Sequence, residues 1–135
     1  MSELNEVWPE FEFLLELGMR HDDSGIDRSG FCNAFIFLAG PCFTIHLNRD
    51  RGDRSVVIGV TANDLHRLTN VIEFATDQRL IEPVPLKILA QHTKEKWSVL
   101  EDCFKNSEWV SDLRVYSTKK TAAWFAGLTF SEPGT

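Results

Sequence analysis

The chain has 135 residues, the size of one folded domain, and its 43% hydrophobic and 25% charged residues are ordinary for a globular protein. Its 14 Lys and Arg against 20 Asp and Glu give a net charge of -6, the wrong sign for a protein that binds the nucleic-acid backbone. Collagen-like, low-complexity and fully disordered classes are therefore excluded, and nucleic acid is not an expected partner. We expect a single domain over residues 1–128 and a disordered tail over residues 129–135.

The expected compartment follows from the apolar stretches and the cysteines. Residues 1–6 lack the basic segment of a signal peptide, and the longest apolar stretch, residues 31–47, is interrupted by polar residues, a glycine and a proline. The three cysteines are an odd number without a CxxC pair, which is typical of reduced thiols and not of a disulfide framework. We therefore expect a cytoplasmic protein that does not bind a membrane.

The first predicted element is an amphipathic helix over residues 6–19. Apolar residues recur every three or four positions from Val7, with glutamates between them. Pro9 would stand in the first turn of this helix, where its missing N–H costs little. Residues 21–30 follow, rich in Asp, Ser and Gly and without an apolar period, which is typical of a mobile surface loop.

A three-stranded antiparallel meander is predicted next. Residues 31–38 are apolar on both faces, as in a central strand, and residues 43–47 and 56–60 alternate in apolar character. A Gly-Pro pair marks the first turn, and Gly52 can adopt the positive φ that a tight hairpin needs at the second.

Three helices complete the predicted fold. One helix begins at its N-cap Thr61 and extends to residue 77, and a second covers residues 86–104 with a near-heptad apolar rhythm. A third begins at Asn106 or Ser107 and ends near residue 127. The predicted class is α+β: an N-terminal helix, a three-stranded antiparallel meander, and three helices packed on one face of the sheet.

The four tryptophans differ in their predicted surroundings. Trp97 and Trp124 fall on predicted core faces of the helices. Trp8 and Trp109 stand near helix starts and are candidates for exposed anchors that contact a partner, with partial burial as the alternative for both.

No recognised catalytic or cofactor motif occurs in the sequence. The four histidines are scattered along the chain, and no two of them have the three- or four-residue spacing of a zinc motif. The glycine-rich phosphate loops and the GxSxG nucleophile turn are also missing. We therefore expect no catalytic residues, no metal and no cofactor.

Charge is distributed unevenly along the chain. Residues 1–27 hold eight acidic residues against one arginine, a net charge of -7, so the rest of the chain has a net charge of +1. Such a segment is either the wet side of a helix followed by a solvated loop, or a surface that attracts a basic protein partner.

A second charged cluster, residues 49–54, places three arginines and two aspartates around a predicted turn. It is either a self-neutralising hairpin end or an arginine surface that contacts a partner. The predicted partner-binding residues come from these two clusters: Glu10, Glu12, Glu16, Asp22, Asp23, Asp27, Arg49, Asp50, Arg51 and Arg54.

Three segments together carry a resemblance to a known group of proteins. They are the strand pair over residues 31–48, the Arg49-Asp50-Arg51-Gly52 turn ahead of residues 56–60, and the helix ending Ala122-Ala123-Trp124-Phe125-Ala126-Gly127. In this layout the chain resembles the small bacterial immunity proteins of polymorphic-toxin and contact-dependent inhibition loci. The resemblance implies a non-enzymatic inhibitor that binds a cognate protein toxin inside the producing cell. The acidic segment would suit a basic toxin, such as a nuclease.

Two other classes of protein stay open. The helix followed by a meander and the pI near 5.1 are similar to class I type III secretion chaperones, homodimers that wrap an unfolded segment of an effector. Those chaperones return to strands after the second helix, whereas residues 86–127 here predict helices. The third class is a small enzyme with a site assembled from Cys42, His46, Arg49 or Asp50. For the oligomeric state we expect a monomer or a weak homodimer.

Overall fold

A computed structural model describes residues 2–27 and 33–126, and it has five strands and six α-helices, which confirms the α+β class. The chain divides into two compact units, Met1–Arg67 and Leu68–Thr135, here called the sheet unit and the helical unit. The expectation of one domain over residues 1–128 stays a prediction. The predicted disordered tail lies outside the described residues.

The sheet unit does not begin with the single helix predicted over residues 6–19. Instead there are three short elements: α1 (Ser2–Val7), a 3₁₀ helix (Pro9–Phe11) and α2 (Phe13–Glu16). The break lies at Trp8, with φ -128° and ψ 59°, because the ring of the following proline disfavours helical backbone in the residue before it. The predicted apolar side is buried in part: Val7, Phe11 and Leu14 are buried, whereas Leu15 is half-buried and Gly18 is exposed.

Residues 21–26 are not part of the predicted loop, since they belong to strand β1 (Arg20–Ile26), and residues 28–30 lie outside the described residues. β1 pairs antiparallel with β2 (Ala34–Ala39), with a bulge between His21 and Asp23. Within the part of the chain that the structure describes, β1 pairs on one side only, so it is an edge strand. An edge strand can keep polar side chains in solvent, which is why no apolar alternation marks it in the sequence.

The predicted meander is present and is longer than expected. β3 (Thr44–Asp50), β4 (Asp53–Gly59) and β5 (Leu65–Arg67) follow β2, and the sheet order is β1-β2-β3-β4-β5. The expected number of three strands is therefore wrong, because β1 and the short β5 flank the predicted three. Arg51 and Gly52 form the turn between β3 and β4 with φ of 53° and 89°, which confirms the predicted role of Gly52.

The two faces of this sheet differ in burial. One face, here called the closed face, is buried along its length and carries Ala34, Ile36, Leu38, Ile45, Leu47, Val56 and Ile58. The other, here called the open face, carries half-buried or exposed side chains: Asp23, Phe35, Phe37, His46, Asn48, Val57 and Arg67. Alternating burial of this kind is typical of an antiparallel sheet with one core face and one solvated face.

The helical unit contains four helices instead of the predicted three: α3 (Leu68–Thr76), α4 (Leu86–Glu95), α5 (Trp97–Phe104) and α6 (Ser107–Phe125). The prediction of one helix over residues 86–104 is wrong, since the backbone of Lys96 leaves the helical region with φ -106° and ψ 18°. α6 begins as predicted, because the side chain of Asn106 accepts hydrogen bonds from two backbone N–H groups of the first turn.

The helix predicted from its N-cap Thr61 to residue 77 begins only at Leu68. Residues 65–67 form β5 instead, and the hydroxyl of Thr61 accepts a bond from the N–H of Asn63, 3.3 Å away, so that it caps a turn. The pairing of β5 with β4 thus prevails over a helix-like apolar spacing in the sequence.

The tryptophans correct two of the sequence expectations. Trp97 is buried as predicted, whereas Trp124 is 71% exposed instead of lying in a core. Trp8 is fully buried and is not an exposed anchor. Trp109 is half-buried and contacts the rings of Phe74 and Phe104.

The close approach of β4 to the residues before β5 yields a first prediction. A Cβ added at Gly59 would overlap the backbone carbonyl of Asp64, so Gly59→Ala must displace the chain there. We expect Gly59→Ala to lower the free energy of unfolding by about 2 kcal/mol or more. The control is Ser55→Ala on the same strand, where the side chain is exposed. Urea unfolding followed by tryptophan fluorescence measures both, and equal small effects would contradict the prediction.

Candidate functional site

The predicted acidic residues lie on or directly beside three consecutive elements of the sheet unit, the 3₁₀ helix, α2 and β1. Glu10 belongs to the 3₁₀ helix, Glu12 and Glu16 to the turn and helix that follow, and Asp22 and Asp23 to β1. Asp27 directly follows β1. All of them are exposed except Glu10, which is half-buried. The structure thus places acidic side chains on ordered elements, two of them on the edge strand.

Glu10 differs from the other acidic residues because it is held by Arg54. The Arg54 guanidinium donates two hydrogen bonds to the Glu10 carboxylate, at 2.9 and 2.8 Å, and a third to the carbonyl oxygen of Val7 at 2.7 Å. This bidentate contact ties the β3–β4 hairpin to the N-terminal helices. Two of the predicted partner-binding residues therefore bind each other within the sheet unit.

The electrostatic environment of Glu10 favours its charged form. Partial burial alone would raise the pKa of Glu10, but the hydrogen bonds and positive charge of Arg54 outweigh it and hold this pKa below its ordinary value. A group with a lowered pKa in the folded state stabilises the fold above its unfolded pKa. That stabilisation is lost as the pH falls through the folded pKa.

The other residues of the arginine cluster lie in the β3–β4 hairpin. The Arg51 N–H donates a 2.9 Å hydrogen bond to the side-chain oxygen of Asn33, and the Arg51 side chain is exposed. Arg49 is half-buried, and it pairs across the sheet with Ala34 of the closed face. Asp50 is exposed at the end of β3. Arg49 also pairs directly across the sheet with Arg54, so these two arginines are neighbours on the closed face, whereas Arg51 lies in the turn.

Two of the proposed enzyme residues, His46 and Arg49, lie on opposite faces of the sheet. His46 lies on the open face, and Arg49, three residues along the same strand, lies on the closed face because successive side chains alternate. Cys42 belongs to the turn between β2 and β3 and is half-buried with a free thiol. Among residues 2–27 and 33–126, no three His, Cys, Asp or Glu side chains form a group that could hold a metal ion.

His46 is instead part of an aromatic group on the open face. Its ring stacks on Phe37 with centroids 3.8 Å apart, and Phe35 follows 4.8 Å from Phe37. Burial lowers the pKa of His46, with the charge of Asp22 acting in the opposite direction. Neutral imidazole is therefore favoured on this face at neutral pH.

The helical unit contains a buried carboxylate that the sequence analysis did not predict. Glu73 of α3 is fully buried, and it accepts hydrogen bonds from the Leu80 N–H at 2.8 Å, from the Tyr116 hydroxyl at 3.2 Å, and from the Lys120 ammonium. Burial and the charge of Glu73 raise the pKa of Tyr116, so its hydroxyl keeps its proton. The available signal was one glutamate within the apolar stretch of α3.

One exposed acid lies beside the Glu73 cluster, since the carboxylate of Glu82 is 4.0 Å from the Lys120 ammonium. The Glu73 carboxylate has no exposed surface, and three of its contacts come from residues that hold α3, the following connector and α6 together. A buried charge with several hydrogen bonds specifies packing, and it becomes costly when one partner is removed.

The described part of the chain, residues 2–27 and 33–126, has no helix with the length and apolar character needed to cross a membrane.

No protein family matches the chain, and neither curated proteins nor solved structures include a match to it. Function must therefore be argued from the surfaces of the two units.

The Glu10 contact yields a prediction about pH. Because the pKa of Glu10 is lowered, we expect Glu10→Gln to cost about 1 kcal/mol of unfolding free energy at pH 7, and this difference to shrink below about pH 4. Glu12→Gln is the control, since that exposed residue should change stability by less than about 0.5 kcal/mol. Urea titrations at several pH values measure both. A Glu10→Gln cost that is the same at pH 3 and pH 7 would refute the assignment.

The Glu73 cluster yields a prediction about stability. We expect Glu73→Ala to cost about 3 to 5 kcal/mol, because it removes the carboxylate that accepts hydrogen bonds from the buried Tyr116 hydroxyl and the part-buried Lys120 ammonium. Glu73→Gln should cost less, since the amide oxygen still accepts a hydrogen bond. Glu95→Ala on the exposed side of α4 is the control. Equal unfolding free energies for the Glu73 and Glu95 variants would contradict the prediction that the cluster stabilises the fold.

Proposed function

We propose that the chain is a non-enzymatic immunity protein that binds a basic, cognate bacterial toxin domain through the acidic surface of its sheet unit. The observation that carries the binding role is the concentration of exposed carboxylates on and directly beside α2 and β1: Glu12, Glu16, Asp22, Asp23 and Asp27. Such a surface attracts a cationic protein and raises its rate of association.

The edge strand β1 supports this proposal in a second way. Its backbone has a free side in the described part of the chain, and its exposed side chains include Asp22 and Asp23. An extended basic segment can pair with such an edge through main-chain hydrogen bonds, while the carboxylates select for Lys and Arg. The bulge and the charges also prevent unselective pairing with other edges.

The identity of the partner as a toxin has a separate support, which is the resemblance of the chain to immunity proteins. The scattered positions of Cys42, His46 and Arg49 favour a binder over an enzyme with these residues. The chaperone class ranks second, because residues 68–126 are helical in their regular elements where those chaperones return to strands. A cytoplasmic location inside the producing cell belongs to the same proposal.

The experiment is growth rescue combined with copurification. The chain is coexpressed with the product of the gene immediately upstream of its own, and we expect survival of the cells and a one-to-one complex. Failure of both would overturn the toxin partner. Binding of an extended segment without protection of the cells would favour the chaperone class.

Charge reversal then tests the surface. We expect the triple variant Glu12→Lys, Glu16→Lys, Asp22→Lys to slow association with the toxin about tenfold or more at low salt, with a smaller change in dissociation. The matched control reverses three exposed acidic residues of the helical unit, Glu95, Asp102 and Asp112, to Lys. Stopped-flow fluorescence measures both. Equal slowing by the two triple variants would show a net-charge effect and remove this surface from the proposal.

A further inference from the structure

The strand register places five residues in one row across the open face. Each is the cross-strand partner of the next, and the row runs Asp23, Phe37, His46, Val57, Arg67. Its ends have opposite charge, its middle is aromatic and aliphatic, and both end residues are exposed. Strands lie about 4.8 Å apart, so the two charged ends are separated by about 19 Å.

The side chains in and beside the middle of this row are more apolar than is usual on the solvated face of a sheet. The rings of Phe35 and Phe37 contact each other on the open face of β2, and the ring of His46 on β3 stacks on that of Phe37. All three are only half-buried. Contiguous apolar surface rimmed by charge is typical of an interaction site.

We infer that the open face binds the open face of a second copy of this chain, about a twofold axis that runs along β3. An axis parallel to the strands places β1 over β5 and β2 over β4 of the second copy. Asp23 of each copy then faces Arg67 of the other, and Phe37 faces Val57. The row is self-complementary under this operation, which is what argues for a second copy as the occupant.

The neighbouring rows are compatible with the same axis. Arg20 pairs with Ala39 and so lies on the open face, where it would face Leu65. Phe35 would face Ser55. The one like-charge encounter is Asp50 with its own copy, at the end of β3 and about 14 Å from His46 at strand rise. Asp50 is exposed, so solvent screens this repulsion.

The size of the face sets the strength of the contact. Five strands at about 4.8 Å spacing and about 20 Å of strand length give roughly 400 Å² from each copy. A total near 800 Å² is below the range of stable complexes. The dimer is therefore weak, with a dissociation constant of about 0.1 to 1 mM.

A charge-swap experiment tests the pairing. Sedimentation velocity over about 0.02 to 2 mM chain should show a monomer–dimer equilibrium. Asp23→Arg and Arg67→Asp should each weaken the dimer about tenfold, because each removes two symmetric ion pairs and creates like-charge pairs. The double variant Asp23→Arg, Arg67→Asp should return to within about threefold of the original constant. Asp112→Arg in the helical unit is the matched control and should change it less than about twofold.

A second measurement on the unaltered chain covers the case in which a variant fails to fold. Amide chemical shifts in β2, β3 and β4 should depend on concentration, with smaller changes in α4 and α5. A monomer at 2 mM, a dimer unaffected by both single reversals, or concentration-dependent shifts confined to the helical unit would each overturn the proposal. Loss of dimer in both single variants without recovery in the double variant would overturn the twofold arrangement.

Discussion

The register of the β3–β4 hairpin is the constraint on which the sheet unit depends. Arg51 and Gly52 both adopt positive φ in a two-residue turn, and this fixes Asp50 opposite Asp53. From that pairing, alternation directs Ile45 and Leu47 to the closed face. The same alternation positions Arg54 to reach Glu10 and the Val7 carbonyl. A slip of one residue would exchange the two faces, exposing the apolar side chains and separating Arg54 from its acceptors.

The helical unit depends on a different kind of constraint, the buried carboxylate of Glu73. Apolar packing tolerates exchange of similar side chains, whereas a buried charge tolerates only an arrangement that supplies its hydrogen bonds. Tyr116 and Lys120 are one helical turn apart on α6, so they can reach one carboxylate only with that side of the helix toward it. The cluster therefore specifies the rotation of α6 against α3.

The sequence predicted those elements whose burial is periodic. β2, β3 and β4 alternate or are apolar throughout, and α6 has an Asn cap, so all four were found. β1 was missed because an edge strand buries few side chains, and its pairing with β2 depends on the backbone. The acidic residues of the candidate site could be identified, but the Glu10–Arg54 contact joins positions 44 apart and has no local signal. The prediction that Trp124 lies in the core was wrong, because the helical spacing of apolar residues continues past the last buried turn of α6.

Asp23 belongs both to the acidic surface and to the open face, so the two proposed contacts are coupled. A dissociation constant of about 0.1 to 1 mM leaves nearly all of the chain monomeric at micromolar concentration, and a competing self-association then weakens a partner's apparent affinity less than twofold. Partner binding is reduced appreciably only where the chain is concentrated. A partner that covers Asp23 must dissociate the dimer, whereas one that docks at Glu12 and Glu16 alone can bind both copies. The presence or absence of this coupling therefore reports whether the partner extends over β1 as far as Asp23.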